Sequence, residues 1–129
     1  LFFVEQSECI KTKQKIKIFP DKILKLDGNM GKLTLSPGNE GNISPEIAKL
    51  GLEVTYREGG EKIKPIGRRY THKLKNLFQE KKIYPWMRGK IPLLKYRNEL
   101  VCVGNLWVAE KFHKQNGYSL IWSEKPDIN

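Results

Sequence analysis

The sequence predicts an α+β domain: small mixed or antiparallel sheets of short strands, with one main helix at about residues 71–82 and a short helix near 45–50. Several short runs alternate apolar and polar residues with the two-residue period of a strand. A single longer segment has helical spacing, and 11 Gly and 7 Pro separate the runs. A parallel nucleotide-binding fold needs a regular alternation of strands and helices, which this sequence lacks. With 129 residues, the chain has room for one domain, and we predict that residues 1–129 form a single domain.

The first half of the chain contains four apolar or alternating runs, which we interpret as strands. They lie at residues 1–4, 15–19, 23–26 and 33–35. A loop-like stretch rich in Gly, Ser, Asn and Pro follows. Ser44 then suits a helix cap and Pro45 the first helical position, and Gly51 is expected to end this helix after about two turns.

In the middle of the chain, residues 52–57 alternate as a strand, and residues 62–66 are predicted to be its hairpin partner across the turn at 58–61. The main helix follows. Its apolar stripe consists of Leu74, Leu77 and Phe78, extended by Tyr70 and capped by Thr71, and it ends before Pro85. The last strands form a hairpin around Arg97-Asn98 and two further runs at 106–109 and 118–122.

Positive charge is concentrated in one segment. Residues 57–97 carry 13 basic and 3 acidic side chains, a net charge of +10, whereas the segments on either side are within one charge of neutral. A field of one sign attracts polyanions, so nucleic acid is the first partner to consider and an anionic membrane surface the second. The alternative is a solvated face without a partner.

No active site or metal site is evident. The nucleophile and phosphate-loop motifs are absent, and the two histidines have no neighbouring Ser or Cys nucleophile. Cys9 and Cys102 are too few for a disulfide framework, and no metal-ligand spacing joins them to His72 or His113. We expect reduced cysteines, Cys102 within a strand, no metal, no catalytic residue and a cytoplasmic protein without a membrane span.

The basic segment contains the candidate RNA-binding residues. Cations cluster around the predicted start of the main helix, where free backbone N–H groups also favour phosphate. The candidates are Arg68, Arg69, His72, Lys73 and Lys75, with Lys64 and Arg88 nearby. Trp86 could stack on a base, but a core position is favoured for it, as for Leu93 and Leu94.

Ordered motifs across residues 53–112 resemble the C-terminal domain of the tRNA(Ile)-lysidine synthetases. The motifs are REGGEKIKPIGR at 57–68, KLKNLFQE at 73–80, PWMR at 85–88 and IPLL at 91–94. The runs at 99–103 and 106–109 continue the pattern. A first residue of Leu rather than Met also agrees with a domain taken from a longer chain.

The resemblance implies a bacterial, cytoplasmic, ATP-dependent ligase that joins lysine to the wobble cytidine of isoleucine tRNA. ATP and Mg belong to the parent enzyme's N-terminal domain, so this chain alone is expected to be inactive and to hold no cofactor. The family's C-terminal domain is similar to a tRNA-synthetase β-subunit domain and helps to hold the tRNA acceptor stem. A free-standing basic RNA-binding module remains the alternative.

Overall fold

Ten short strands and two short α-helices make up the α+β architecture of residues 16–38 and 42–129, which are the residues that the computed structural model describes. The strands are β1 Ile16–Ile18, β2 Ile23–Lys25, β3 Lys32–Pro37, β4 Leu52–Thr55, β5 Lys62–Ile63, β6 His72–Lys73, β7 Leu93–Tyr96, β8 Glu99–Val103, β9 Trp107–Val108 and β10 Tyr118–Ser123. The α-helices are α1 Pro45–Leu50 and α2 Leu74–Glu80. Two 3-10 helices, η1 Pro85–Lys90 and η2 Glu110–Phe112, complete this part of the chain.

The described strands form three antiparallel sheets. The largest has the order β1-β4-β7-β8-β9, the second has the order β10-β3-β2, and the third is the two-stranded ribbon of β5 and β6. In the largest sheet, Leu93 and Leu94 are both fully buried although neighbouring side chains of a strand point to opposite faces. Both faces of this sheet are therefore covered at these two residues. The predicted core positions of Leu93 and Leu94 are confirmed.

Helix α2 packs its predicted apolar stripe into the core. Leu74, Leu77 and Phe78 are fully buried, and the Phe78 ring lies 6.0 Å from the ring of Trp107 in β9. This contact holds the helix against the end of the five-stranded sheet. Tyr70, which was expected to extend the stripe, is 69% exposed, so that prediction was wrong.

The main helix is shorter than the predicted 71–82. Thr71 does not cap it: residues 72 and 73 form β6, and Lys73 keeps an extended backbone at the helix start. The Leu74 N–H donates to the Glu61 carbonyl instead of starting a longer helix at Thr71. At the other end, Lys82 has a φ of 58°, which a continuing helix cannot accommodate.

The predicted hairpin of residues 52–57 with 62–66 was also wrong. Strand β4 pairs with β1 and β7, whereas β5 pairs with β6. The Glu61 side chain explains part of this difference, since its carboxylate accepts the N–H groups of Glu58 and Gly59 and closes a separate turn before β5.

Other elements match the predictions. Helix α1 begins at Pro45 and ends at Leu50 with Gly51 as its C-cap; Ser44 lies at the N-cap position, but its side chain makes no cap hydrogen bond. The β7–β8 hairpin turns through Arg97 and Asn98, both with positive φ, as a tight two-residue turn of this type requires. Cys102 is a buried strand residue. The predicted strand at 1–4 and Cys9 lie outside the described residues. No helix in the described part of the chain is long and apolar enough to span a membrane.

Candidate nucleic-acid interface

The ribbon of β5 and β6 brings two lysines face to face. Lys62 lies directly opposite Lys73, and Ile63 lies opposite His72. Opposed residues share one face of a ribbon, so the buried Ile63 marks the inner face and both lysines lie on the outer, exposed face. Like charges in this position repel each other. Within residues 16–38 and 42–129, neither lysine has an acidic partner.

Glu61 stabilises the turn that leads into this ribbon. Its carboxylate accepts N–H groups of Glu58 at 2.7 Å and of Gly59 at 3.0 Å. Partial burial opposes ionisation, but the backbone N–H groups outweigh it, with a smaller contribution from Lys95, and the pKa of Glu61 is lowered. Glu61 therefore acts as an ionised acceptor that stabilises this turn.

Arg68 is bound within the domain. Its guanidinium donates two hydrogen bonds to the Glu80 carboxylate at the end of α2, with Nη1 lying 3.3 Å from Oε2. This hydrogen bond lowers the pKa of Glu80, and the positive charges of Arg68 and Lys81 act in the same direction. Glu80 thus offsets part of the charge of Arg68, one of the predicted RNA contacts.

Lys64 and Arg88 also have partners within the domain. The Lys64 ammonium lies 3.5 Å from the Glu110 carboxylate, and the Arg88 Nε donates to the Ile83 carbonyl at 3.0 Å. The Arg88 side chain is only partly exposed. These two residues therefore have structural partners in addition to any role in RNA binding.

The remaining predicted cations lie on the surface without a partner. Arg69, Lys73 and Lys75 are exposed, and none forms an ion pair in the part of the chain that the structure describes. Lys73 and Lys75 flank the first residue of α2. Sequence reasoning missed Lys62, because its position opposite Lys73 depends on the ribbon register.

Two exposed aromatic rings stack on each other within a basic stretch of the sequence. Trp86 is 68% exposed and Tyr84 37% exposed, and the rings stack with centroids 4.8 Å apart and planes 14° from parallel. The predicted core position of Trp86 was therefore wrong. Residues 81–97 contain six Lys or Arg and no Asp or Glu, so this pair lies within a purely basic stretch of the sequence.

No group of three or more His, Cys, Asp or Glu capable of holding a metal ion occurs among the described residues. Burial raises the pKa of the Cys102 thiol to about 12, so this cysteine has no thiolate at neutral pH. The exposed cations and aromatic rings of the described surface are groups that can contact an anionic partner.

Comparison with known proteins gives one consistent result. The family model described as "TilS substrate C-terminal domain" matches residues 52–122. A tRNA(Ile)-lysidine synthase of Vibrio campbellii is 37% identical over 127 residues, which are 95% of this chain and 27% of the relative. Enzymes of the same name from Vibrio parahaemolyticus and Coxiella burnetii are 40% and 35% identical over 79% and 69% of the chain, or 23% and 20% of their own lengths. The chain thus spans about a quarter of the length of these curated relatives.

Proposed function

Because this chain belongs to the TilS substrate C-terminal domain family, we propose that it is the tRNA-binding domain of a bacterial tRNA(Ile)-lysidine synthase. The parent enzyme would be an ATP-dependent ligase that forms a C–N bond between lysine and the wobble cytidine of isoleucine tRNA. This domain would hold the tRNA acceptor stem while another domain performs the chemistry in the cytoplasm.

The concentration of charge in residues 57–97 carries the proposal. This segment holds a net charge of +10, which equals the net charge of the whole chain. RNA helices are recognised mainly through shape and through contacts to phosphate and the 2′-hydroxyl, because side chains cannot read their narrow major groove. A surface of lysines and arginines suits that mode of binding.

The ion pairs divide the seven predicted contacts into two groups. Arg69, Lys73 and Lys75 are exposed and unpaired among the described residues, so they are the primary phosphate contacts, together with Lys62. The other four are Lys64, Arg68, His72 and Arg88. Lys64 and Arg68 are paired with Glu110 and Glu80, and the Arg88 side chain is bonded to a carbonyl. His72 is only partly exposed, so we assign all four secondary contacts that adjust to the RNA.

ATP and Mg²⁺ belong, in this proposal, to the N-terminal domain of the parent. The present sequence contains no glycine-rich loop of the kind that cradles phosphates ahead of a helix. Calorimetric titration of this chain with ATP is expected to give no saturable heat. Saturable uptake would show that the division of labour is wrong.

The central experiment measures the binding of fluorescent tRNA(Ile) by anisotropy over a series of salt concentrations. The wild-type affinity is expected to fall steeply with salt, since each phosphate contact releases counterions. Replacement of Arg69, Lys73 and Lys75 by Gln is expected to reduce the salt slope by about one for each lost contact, with an unchanged circular dichroism spectrum.

Three lysines outside the basic segment provide a matched control. Lys22, Lys25 and Lys49 are exposed and lie outside the basic segment, so their replacement by Gln removes the same net charge. This control is expected to keep most of the tRNA affinity and the salt slope. Equal losses in both triple variants would mean that net charge alone attracts the RNA, and a flat salt response in the wild type would contradict phosphate binding.

A further inference from the structure

The Tyr84–Trp86 pair has the geometry of a platform for a flat ligand. The two rings are nearly parallel and close enough to stack, and Tyr84 covers one side of the indole. The 68% exposure of Trp86 leaves the other side open to solvent. A large aromatic side chain gains by burial, so an exposed and preorganised stack is suited to a partner with a flat apolar face.

Hydrogen bonds and buried neighbours fix the backbone that carries the two rings. The Tyr84 N–H donates to the Ile128 carbonyl at 2.8 Å, and the Met87 N–H donates to the Tyr84 carbonyl at 2.9 Å. Ile83 and Ile91, which flank the 3-10 helix η1, are buried. The Arg88 Nε–H also donates a hydrogen bond to the Ile83 carbonyl, which links this helix to the residue before Tyr84. The backbone is therefore fixed while both rings project outward, which limits the entropy lost when a ligand stacks.

The charges that flank the platform in the sequence favour one class of ligand. Lys82 and Lys90 are exposed on either side of the two rings in the sequence, and no acidic residue occurs between Glu80 and Glu99. A flat ring joined to a negative charge, which is the composition of a nucleotide, satisfies both features. Bases inside a duplex are already stacked on both faces, which favours an unpaired nucleotide as the ligand.

Building on the function proposed above, we propose that Trp86, supported by Tyr84, stacks against an unpaired base of the RNA that the exposed lysines hold. An acceptor stem ends in an unpaired 3′ strand, which provides such a base beside a helix. The cations would then position the RNA helix, and the aromatic pair would contact its single-stranded end.

The test uses two RNA duplexes that differ in one feature. One carries an unpaired 3′ overhang containing 2-aminopurine, and the other has the same paired sequence and a blunt end. The wild-type chain is expected to bind the overhang duplex more tightly and to quench the 2-aminopurine emission on stacking. W86L keeps an apolar side chain but removes the aromatic face, and it is expected to lose about tenfold in affinity for the overhang duplex and none for the blunt duplex. W86F is expected to restore much of that loss.

The outcomes separate this inference from the proposed function. If W86L binds the overhang duplex as tightly as the wild type, or loses equal affinity for both duplexes, stacking on Trp86 is overturned while phosphate binding stands. If neither duplex binds the wild type, the proposed function itself fails. Unchanged overhang affinity in W86L would also be the result if the rings contact another part of the parent enzyme.

A second measurement needs no variant. Trp122 is buried and Trp107 is partly buried, so Trp86 is the tryptophan most accessible to iodide among the three. Iodide quenching of the wild-type emission is expected to decrease when the overhang duplex binds and to remain nearly unchanged with the blunt duplex. Equal protection by both duplexes would contradict the stacking site.

Discussion

Replacement of Lys62 and Lys73 by Gln is expected to change stability and RNA binding in opposite directions. The two lysines face each other across the β5–β6 ribbon, and neither forms an ion pair in the described part of the chain. Removal of their mutual repulsion should stabilise the free domain. Removal of two phosphate contacts should weaken its complex with tRNA.

The size of the stabilising effect follows from the geometry. Opposed side chains in an antiparallel pair begin about 5 Å apart at Cβ, and the long lysine chains allow their ammonium groups to separate to about 7 Å. At that distance in water, two unit charges repel by about 0.6 kcal/mol. At an ionic strength of about 0.1 M, screening reduces this to about 0.3 kcal/mol, and near 1 M it becomes negligible. Single replacement of either lysine should remove the same repulsion, so the two substitutions are not additive.

Urea denaturation at low and high salt measures the stability change, and fluorescence anisotropy of tRNA(Ile) measures the binding change. The double variant is expected to be more stable than the wild type at low salt and equal to it at high salt. Its salt slope for tRNA is expected to be smaller by about two. Both changes have the same origin, because the charges that repel in the free domain are those that attract phosphate.

The second sheet offers a matched control. Lys25 lies opposite Lys32 across β2 and β3, but the Lys32 ammonium lies 3.0 Å from the Glu124 carboxylate. The acidic partner offsets the repulsion there, so K25Q should gain less stability than K62Q and should leave the salt slope for tRNA unchanged. The reasoning is refuted if the Lys62 and Lys73 double variant is less stable than the wild type at low salt or keeps the full salt slope.

Three further predictions concern the scaffold. In G31A, the new Cβ would lie 2.1 Å from the Ser123 carbonyl oxygen at a φ of +86°. We therefore expect the free energy of unfolding, measured in urea, to fall by about 2–4 kcal/mol. In the control G38A the new Cβ meets no neighbouring atom, so the stability should change little. E61Q should lose about 1 kcal/mol of unfolding free energy at pH 7. Because the folded pKa of Glu61 is lowered, this contribution is complete above the unfolded pKa of about 4.3 and disappears as the pH falls through the folded pKa. An equal difference in stability between E61Q and the wild type at pH 7 and at pH 2.5 would contradict this. In a Cys9→Ser background, Cys102 should react with a thiol reagent only at the rate of unfolding, because its pKa is about 12 and it is buried; rapid labelling under native conditions would contradict that packing.

Local signals in the sequence were sufficient for elements whose ends are set by local chemistry. Helix α1 begins at a proline and ends at a glycine with a φ of 94°, and the Arg97-Asn98 turn depends on residues that tolerate positive φ. The buried stripe of α2 follows from a 3.6-residue period. Each of these features is encoded within a few neighbouring residues, so no knowledge of the rest of the fold is needed.

The start of α2 could not be predicted in this way. Thr71 is a good cap in isolation, but the backbone of residues 72 and 73 instead forms hydrogen bonds with β5, ten residues earlier in the chain. A tertiary pairing thus replaced a local preference. The same pairing places Lys62 opposite Lys73, and for that reason the sequence identified only one lysine of the pair.

Trp86 shows why hydrophobicity is a weaker guide than backbone geometry in this segment. Pro85 starts a 3-10 helix, in which no side chain is fully buried, and the buried positions are the flanking Ile83 and Ile91. The core beneath is therefore filled by the aliphatic residues on either side, and the largest side chain of the segment projects into solvent beside Tyr84. Exposure of so large an apolar surface contributes nothing to the stability of the free domain. Trp86 is therefore free for the stacking contact that we propose, and the Lys and Arg residues of 81–97 agree with an RNA partner.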